Sequence, residues 1–257
     1  MKILFLGTSA GWPLPRLGCN CEICTSKDPK DRRARPVILV NDSVLVDSGP
    51  DIYHQLLQIP NSQYLISNIK ALILTHAHPD HILGFYDLTH LYNLKEKPKL
   101  YATQETLVGL RQIHKYALDP FLPEVIRPPE VFEIDHTKFT FIPVEHNHFP
   151  TWGLKIKGDR LVCYLPDIRL LPKSQEKTCK DVHLLILDGS SLGKAGQTRI
   201  HESIIEGLTL GKKLKAKKVY FTHIGHKTGK YQDLEKFVQE KGGRNFHIAF
   251  DGLELEI

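Results

Sequence analysis

Ala71-Leu72-Ile73-Leu74-Thr75-His76-Ala77-His78-Pro79-Asp80-His81 decides the reading of this chain. The first four residues form an apolar run that predicts a buried strand. His76 and His78 alternate, so an extended backbone places both side chains on one side. From Pro79 onward the segment reads as a polar turn, so Asp80 and His81 point back to the same place from another direction. Neutral imidazole and carboxylate are ligands that borderline divalent metals such as zinc favour. A chance histidine cluster on a wet loop does not explain four such groups within six residues at a strand end.

The same arrangement recurs further along. His146 follows the apolar segment Thr140-Phe141-Ile142-Pro143-Val144, Asp167 follows Leu161-Val162-Cys163-Tyr164-Leu165, and His223 follows Val219-Tyr220-Phe221. Each stands where a strand runs out, so the ligands converge on one sheet edge, which holds them better than mobile loops would. His76, His78, Asp80, His81, His146, Asp167 and His223 are too many for one tetrahedral zinc. They suit two divalent metals, zinc or manganese, with Asp167 as the shared carboxylate.

Cysteine usage adds a further site. Of five cysteines, three lie together as Cys19-Asn20-Cys21-Glu22-Ile23-Cys24. Three thiols this close in a chain with no secretory leader read as zinc ligands rather than a disulfide framework, and a fourth ligand must come from elsewhere. Cys163 is read as a buried small hydrophobe and Cys179, among lysines, as a surface thiol.

The chain of 257 residues, 41% hydrophobic and 25% charged, has the composition of a folded globular protein. No stretch approaches the roughly 20 apolar residues of a membrane span. The opening Met1-Lys2-Ile3-Leu4-Phe5-Leu6-Gly7 is too short for a secretory segment and reads as a first strand. Residues 1–257 are therefore expected to form a single cytoplasmic domain with no membrane partner. A net charge of +5 suits a small phosphorylated substrate and does not demand nucleic acid.

The remaining pattern predicts a hairpin at Pro36–Val40 and Ser43–Val46, and helices at 51–57, 82–94, 103–117, 201–214 and 232–241. It predicts further strands at 99–102, 131–134, 138–144, 151–156, 160–165, 182–187 and 218–221. Segments 246–250 and 253–257 are expected to close the sheet. Asp119 to Pro129, rich in proline, is expected to be a loop over the site mouth. Strands first, then mixed helices and strands in each half, suit two packed sheets with helices outside.

The set His76-x-His78-x-Asp80-His81 with His146, Asp167 and His223 resembles the metallo-β-lactamase superfamily over nearly the whole chain. The resemblance implies an α+β fold, an αββα four-layer sandwich. It assigns His76, His78 and His146 to one metal and Asp80, His81 and His223 to a second, with Asp167 bridging. The segments Gly18 to Cys24, Leu74-Thr75-His76 and Thr222-His223-Ile224-Gly225-His226 resemble the phosphoribosyl 1,2-cyclic phosphate phosphodiesterase subfamily. By that resemblance Cys19, Cys21, Cys24 and His226 hold one structural zinc, and His201 meets the substrate phosphate. His201 follows the irregular stretch Gly193 to Arg199 at an expected helix start, where the dipole favours anions. Lys194, Arg199 and Lys227 are candidates for additional positive charge. The expected activity is metal-dependent hydrolysis of a small cyclic phosphodiester, with water activated between two metals and Asp80 orienting it. The reading is compatible with a homodimer. Three other readings compete. Pyrroloquinoline quinone biosynthesis accessory proteins share the cysteine loop but tend to depart from the full ligand set. A tRNA 3′-end endonuclease would carry a protruding arm that this chain does not show between His146 and His223. A non-catalytic metal protein would not need seven convergent ligands.

Overall fold

The computed structural model describes residues 1–60, 66–93, 97–115, 121–193 and 200–257. The first half supplies β1 (Lys2–Gly7), β2 (Val37–Val40), β3 (Val44–Val46), β4 (Ala71–Ile73), β5 (Lys99–Ala102) and β6 (Leu122–Val125). The second supplies β7 (Val131–Ile134), β8 (Thr137–Val144), β9 (Thr151–Lys157), β10 (Leu161–Leu165), β11 (Leu184–Asp188), β12 (Lys218–Thr222) and β13 (Phe246–Ile248). A last strand, β14 (Glu254–Glu256), returns to the first sheet beside β1. The two sheets have the orders β14-β1-β2-β3-β4-β5-β6 and β13-β12-β11-β10-β9-β8-β7. Apart from β14, which pairs antiparallel with β1, each is antiparallel through its early strands and parallel through its later ones.

Side chains of period two build three apolar layers from these strands. In β1, Ile3 and Phe5 enter the layer between the sheets, while Leu4 and Leu6 enter the layer on the far side. In β11, Leu184 and Ile186 join the inter-sheet layer and Leu185 and Leu187 the opposite one. Helices close the outer layers. Ile52 and Leu56 of α1 (Ile52–Leu57), Ile82 of α2 (Pro79–Ile82), and Leu107 and Leu110 of α3 (Gln104–Ile113) cover the first sheet. Beyond the short α4 (Lys173–Glu176), Ile204 and Leu208 of α5 (Ile204–Lys213) and Leu234 and Val238 of α6 (Tyr231–Gly242) cover the second. Three stacked cores between four layers make an αββα sandwich. Each fully buried Leu, Ile or Val contributes about 1.5–3 kcal/mol, so these layers dominate the fold's stability. Among the described residues no helix is long and apolar enough to cross a membrane.

Several elements differ from the sequence expectation. Segment 119–129 is not wholly loop: residues 122–125 form β6, the edge strand of the first sheet, and 119–120 lie outside the described residues. Pro123 fits there because an edge strand tolerates a missing N–H. The expected helix 82–94 is α2 followed by a 3-10 segment, Leu83–Asn93. Helix 103–117 is shorter, Gln104–Ile113, with residues 116–117 outside the described set. The last two segments join different sheets, β13 the second and β14 the first. Cys179 is fully buried in the outer core of the second sheet with Cys163, not on the surface.

Candidate metal centre

Strand direction gathers the site. β3 and β4 run parallel, and β8, β10, β11 and β12 all run the same way, since β9 is antiparallel to both β8 and β10. Their C-terminal ends therefore share an edge. Asp47 follows β3, His76 follows β4, His146 follows β8, Asp167 follows β10, Asp188 ends β11 and His223 follows β12. His78, whose own backbone is extended, is the N-cap of α2. Pro79 then starts the helical turn that carries Asp80 and His81. That change from extended to helical turns the two pairs of ligands toward one point.

Asp167 lies at the middle. Its Oδ2 is 3.2 Å from His76 Nε2, 3.7 Å from His78 Nδ1 and 3.7 Å from His81 Nε2, and its Oδ1 is 3.2 Å from His146 Nδ1. Asp80 Oδ2 stands 3.6 Å from His81 Nε2 and 3.4 Å from His223 Nε2. Candidate ligand atoms of His76, His78, His146 and Asp167 lie within 4.8 Å of one another, and so do those of Asp80, His81 and His223. The structure thus brings together all seven residues singled out from the sequence.

Hydrogen bonds orient the rings. Asp47 accepts from the Thr75 N–H at 2.8 Å, from the Thr75 hydroxyl at 2.9 Å and from His81 Nδ1 at 2.8 Å. With its hydroxyl proton given to Asp47, Thr75 Oγ1 accepts from His76 Nδ1 at 2.9 Å. His146 Nδ1 donates to the Ile200 carbonyl at 2.7 Å. In all three rings Nδ1 is thus engaged and Nε2 is left to face the centre, the atom a metal ligand offers. At His81 burial opposes a charge, yet Asp47, Asp80 and Asp167 raise the imidazole, so a cation there takes the place of a proton. Asp47 and His223 both hold left-handed backbone, with φ of 66° and 57°. Non-glycine residues in that region concentrate at functional sites.

The electrostatics suit cations. Burial, with His81 adding to it, drives His76 down to about 3 and keeps it neutral. Burial likewise lowers His146. For Asp80 and Asp167 burial works against ionisation but the surrounding imidazoles prevail, so both stay ionised. Among the described residues, His76 Nε2, His81 Nε2, Asp167 Oδ1 and His223 Nδ1 are buried without a partner in hydrogen-bonding geometry. Unpaired buried polar atoms of this kind are rare. Ligands about 2.1 Å from a tetrahedral ion stand about 3.4 Å apart, close to the 3.2–3.7 Å spacings around Asp167 Oδ2. The residues therefore fit the divalent cations that this donor set favours.

His201 belongs to the same pocket but not to a helix start. Helix α5 begins at Ile204 with a Ser203–Glu206 capping box, so its dipole does not act through His201. Instead His201 Nδ1 lies 2.8 Å from Asp188 and 3.0 Å from Asp167. Burial opposes its charge, yet Asp188 and Asp167 push it up to about 9. Its ring sits between those of His146 and His223, with centroids 4.9 and 5.2 Å away. Lys194 and Arg199 lie outside the described residues, and Lys227 is exposed beside the thiol cluster. Sequence reading missed Asp47 and Asp188 as site residues. The signal that pointed to Asp167, an aspartate where an apolar strand ends, was present for both.

A second cluster lies at the surface. Cys19, Cys21, Cys24 and His226 place one candidate ligand atom each within 4.8 Å of the others. Cys19 Sγ and Cys21 Sγ are 3.0 and 3.2 Å from His226 Nε2. The Cys24 backbone N–H lowers the Cys21 thiol, which favours the thiolate that binds metal.

Comparison with known proteins agrees with this picture. The family described as the Beta-lactamase superfamily domain matches residues 42–224. A solved diphosphatase from the PhnP family is 28% identical, with a TM-score of 0.87 over 100% of this chain and 97% of that one. Zn(2+)-bound PqqB from Methylobacterium extorquens, 21% identical, has a TM-score of 0.80 over 100% of both chains and shares the fold. An octanoyltransferase from Porphyromonas gingivalis is 25% identical over the whole of this chain, which spans about half, 52%, of that protein.

Proposed function

The chain belongs to the metallo-β-lactamase superfamily, a fold of divalent-metal hydrolases, and on that premise we propose that it is a phosphodiesterase of small, cyclic phosphodiesters such as a phosphoribosyl cyclic phosphate. One observation carries the proposal: two sets of nitrogen and oxygen donors, His76, His78, His146 and Asp80, His81, His223, meet around Asp167. Zinc or manganese held there supplies Lewis acidity, which activates water and offsets charge on a phosphoryl group. The protein's own groups do the rest. Asp80 orients the attacking water. His201, held by Asp188, donates to a phosphoryl oxygen and protonates the departing ester oxygen. Water oxygen bonds to phosphorus while its proton is released to solvent, one ester P–O bond breaks, and the leaving alkoxide takes up the His201 proton, which solvent then restores.

The 28% identical diphosphatase of the PhnP family supports phosphoryl chemistry. Thiols at Cys19, Cys21 and Cys24 suit a reducing compartment, so the cytoplasm is the proposed place of action. The resident metal is to be identified by elemental analysis. Zinc- and manganese-loaded protein is then assayed on a ribose 1,2-cyclic phosphate, bis-p-nitrophenyl phosphate, a nucleoside diphosphate ester and precursor tRNA. Turnover of the cyclic diester above the others is expected. Cleavage of precursor tRNA alone, or only oxygen-dependent oxidation by iron-loaded protein, overturns the reading.

A further inference from the structure

The thiol cluster and the histidine centre share one short segment. In Thr222-His223-Ile224-Gly225-His226, His223 reaches Asp80 at one end while His226 reaches Cys19 and Cys21 at the other. The residues between are tightly held. The Ile224 N–H donates to the Thr8 carbonyl at 2.7 Å, and the Ala10 N–H donates to the Ile224 carbonyl at 3.0 Å. A Cβ on Gly225 would lie 2.0 Å from the Ser190 carbonyl oxygen, so the chain passes there with no room to spare. The Thr228 hydroxyl donates to that same carbonyl at 2.9 Å. His223 itself holds the left-handed backbone that only a surrounding framework maintains.

The first loop ties the same two places together. A Cβ on Gly11 would stand 3.6 Å from Asp80 Oδ2, so this loop lies against the second ligand set. Five residues on, the Arg16 N–H donates to Cys24 Sγ at 3.3 Å, and the loop continues into Cys19. Both strips that touch Asp80 and His223 thus end in donors of the thiol cluster. His76, His78 and His146 are placed by β4, the start of α2 and β8, none of them on either strip, whereas the second set has His223 on one strip and Asp80, itself carried by α2, against the other.

We infer that occupancy of the Cys19–Cys21–Cys24–His226 cluster sets the metal affinity of the Asp80–His81–His223 set and leaves that of the His76–His78–His146 set unchanged. The inference rests on the proposed two-cation reading of the centre. The four cluster residues are positioning residues, acting through the loop and through His223. Metal joining the thiols to His226 closes the two strips into a clamp. An open clamp leaves His223 and Asp80 to be ordered at the moment they bind their cation, which weakens that binding.

The test uses whole protein, stripped of metal and reloaded with one equivalent of Zn2+, which thiolates take in preference to imidazole and carboxylate. Mn2+, which favours oxygen and nitrogen donors, is then titrated calorimetrically. Wild type is expected to bind two Mn2+. His226→Ala is expected to weaken the second event at least ten-fold with the first within two-fold, and His226→Cys, which keeps four donors, restores the second. Circular dichroism checks the fold, and Cys24→Ser serves the same purpose should His226→Ala not fold. Two unchanged events, or both weakened in parallel, overturn the coupling while leaving the centre intact. A single Mn2+ in wild type overturns the two-cation reading and the inference with it.

Discussion

The histidine–aspartate centre and the thiol cluster offer donors to metal in opposite ways. The first draws its side chains from the ends of strands in both sheets, and most are fully buried. The second takes three of its four donors from six consecutive residues on a half-exposed loop. Strand ends are held by the three apolar cores, so the fold itself positions most of the centre's donors. The cysteine loop contributes little to those cores, so a bound ion organises the loop rather than the reverse. One site is a product of the fold and the other a local source of it. Substitutions in the first should therefore strike chemistry, and substitutions in the second stability.

The largest effect separates the two sites outright. Asp167→Ala removes the carboxylate that five imidazoles surround. Turnover is expected to fall by roughly a thousand-fold or more, beyond the 10–100-fold typical of an outer residue, while circular dichroism stays native. Elemental analysis of the purified variant should find the centre's metal lost and the thiol-site zinc kept. Wild-type turnover would rule out the shared carboxylate.

A smaller effect tests how far the fold reaches into the centre. Asp47 is fully buried behind the ligands, where it orients His81 directly and His76 through Thr75. Asp47→Asn leaves the geometry and removes the charge that holds His81 Nδ1 protonated. Metal affinity is expected to drop by roughly 10–100-fold, read by competition with a chromogenic chelator. Activity at saturating metal should recover much of the loss. A variant whose metal affinity is unchanged would show that His81 needs no such support.

The same contrast explains what the sequence disclosed. His76 through His81 were legible because a strand and a helical turn impose known side-chain directions within a short window. The αββα layering was legible because apolar strands of period two alternated with helical stretches. Asp47 and Asp188 were not legible, since aspartate at a strand end is also ordinary turn chemistry. Only the partners across space, His81 for one and His201 for the other, set them apart. The start of α5 was misplaced although Ser203-Ile204-Ile205-Glu206 spells a capping box. The prolines near β6 suggested a loop because an edge strand and a loop tolerate proline alike. Cys179 lies between Lys177 and Lys180 in sequence, yet its own side chain turns into the core.

At the thiol site the expectation reverses. Cys21→Ser should lower Tm, by roughly 2–4 °C for each kcal/mol lost in a chain of this size. Turnover per folded molecule should hold within about three-fold at saturating metal, where any loss of affinity at the centre is compensated by mass action. A chelator that strips the thiol site should lower the wild-type Tm toward that of the variant. An unchanged Tm with lost turnover would make the cysteine cluster catalytic and erase the contrast.

The smallest effect concerns the rim of the buried centre. Phe149 is 41% exposed, and its ring centroid lies 4.9 Å from that of His78. It ligates nothing, so its removal should leave both metal content and melting unchanged. A flat apolar group beside the phosphoryl position packs against an aromatic ester and has little to offer a small aliphatic one. Phe149→Ala is therefore expected to raise KM for bis-p-nitrophenyl phosphate a few-fold, about 0.5–1.5 kcal/mol of lost ring contact. kcat and the KM of an alkyl diester should stay near wild type. An equal rise in KM for both esters would mean that the ring shields the metal centre rather than selecting what enters it.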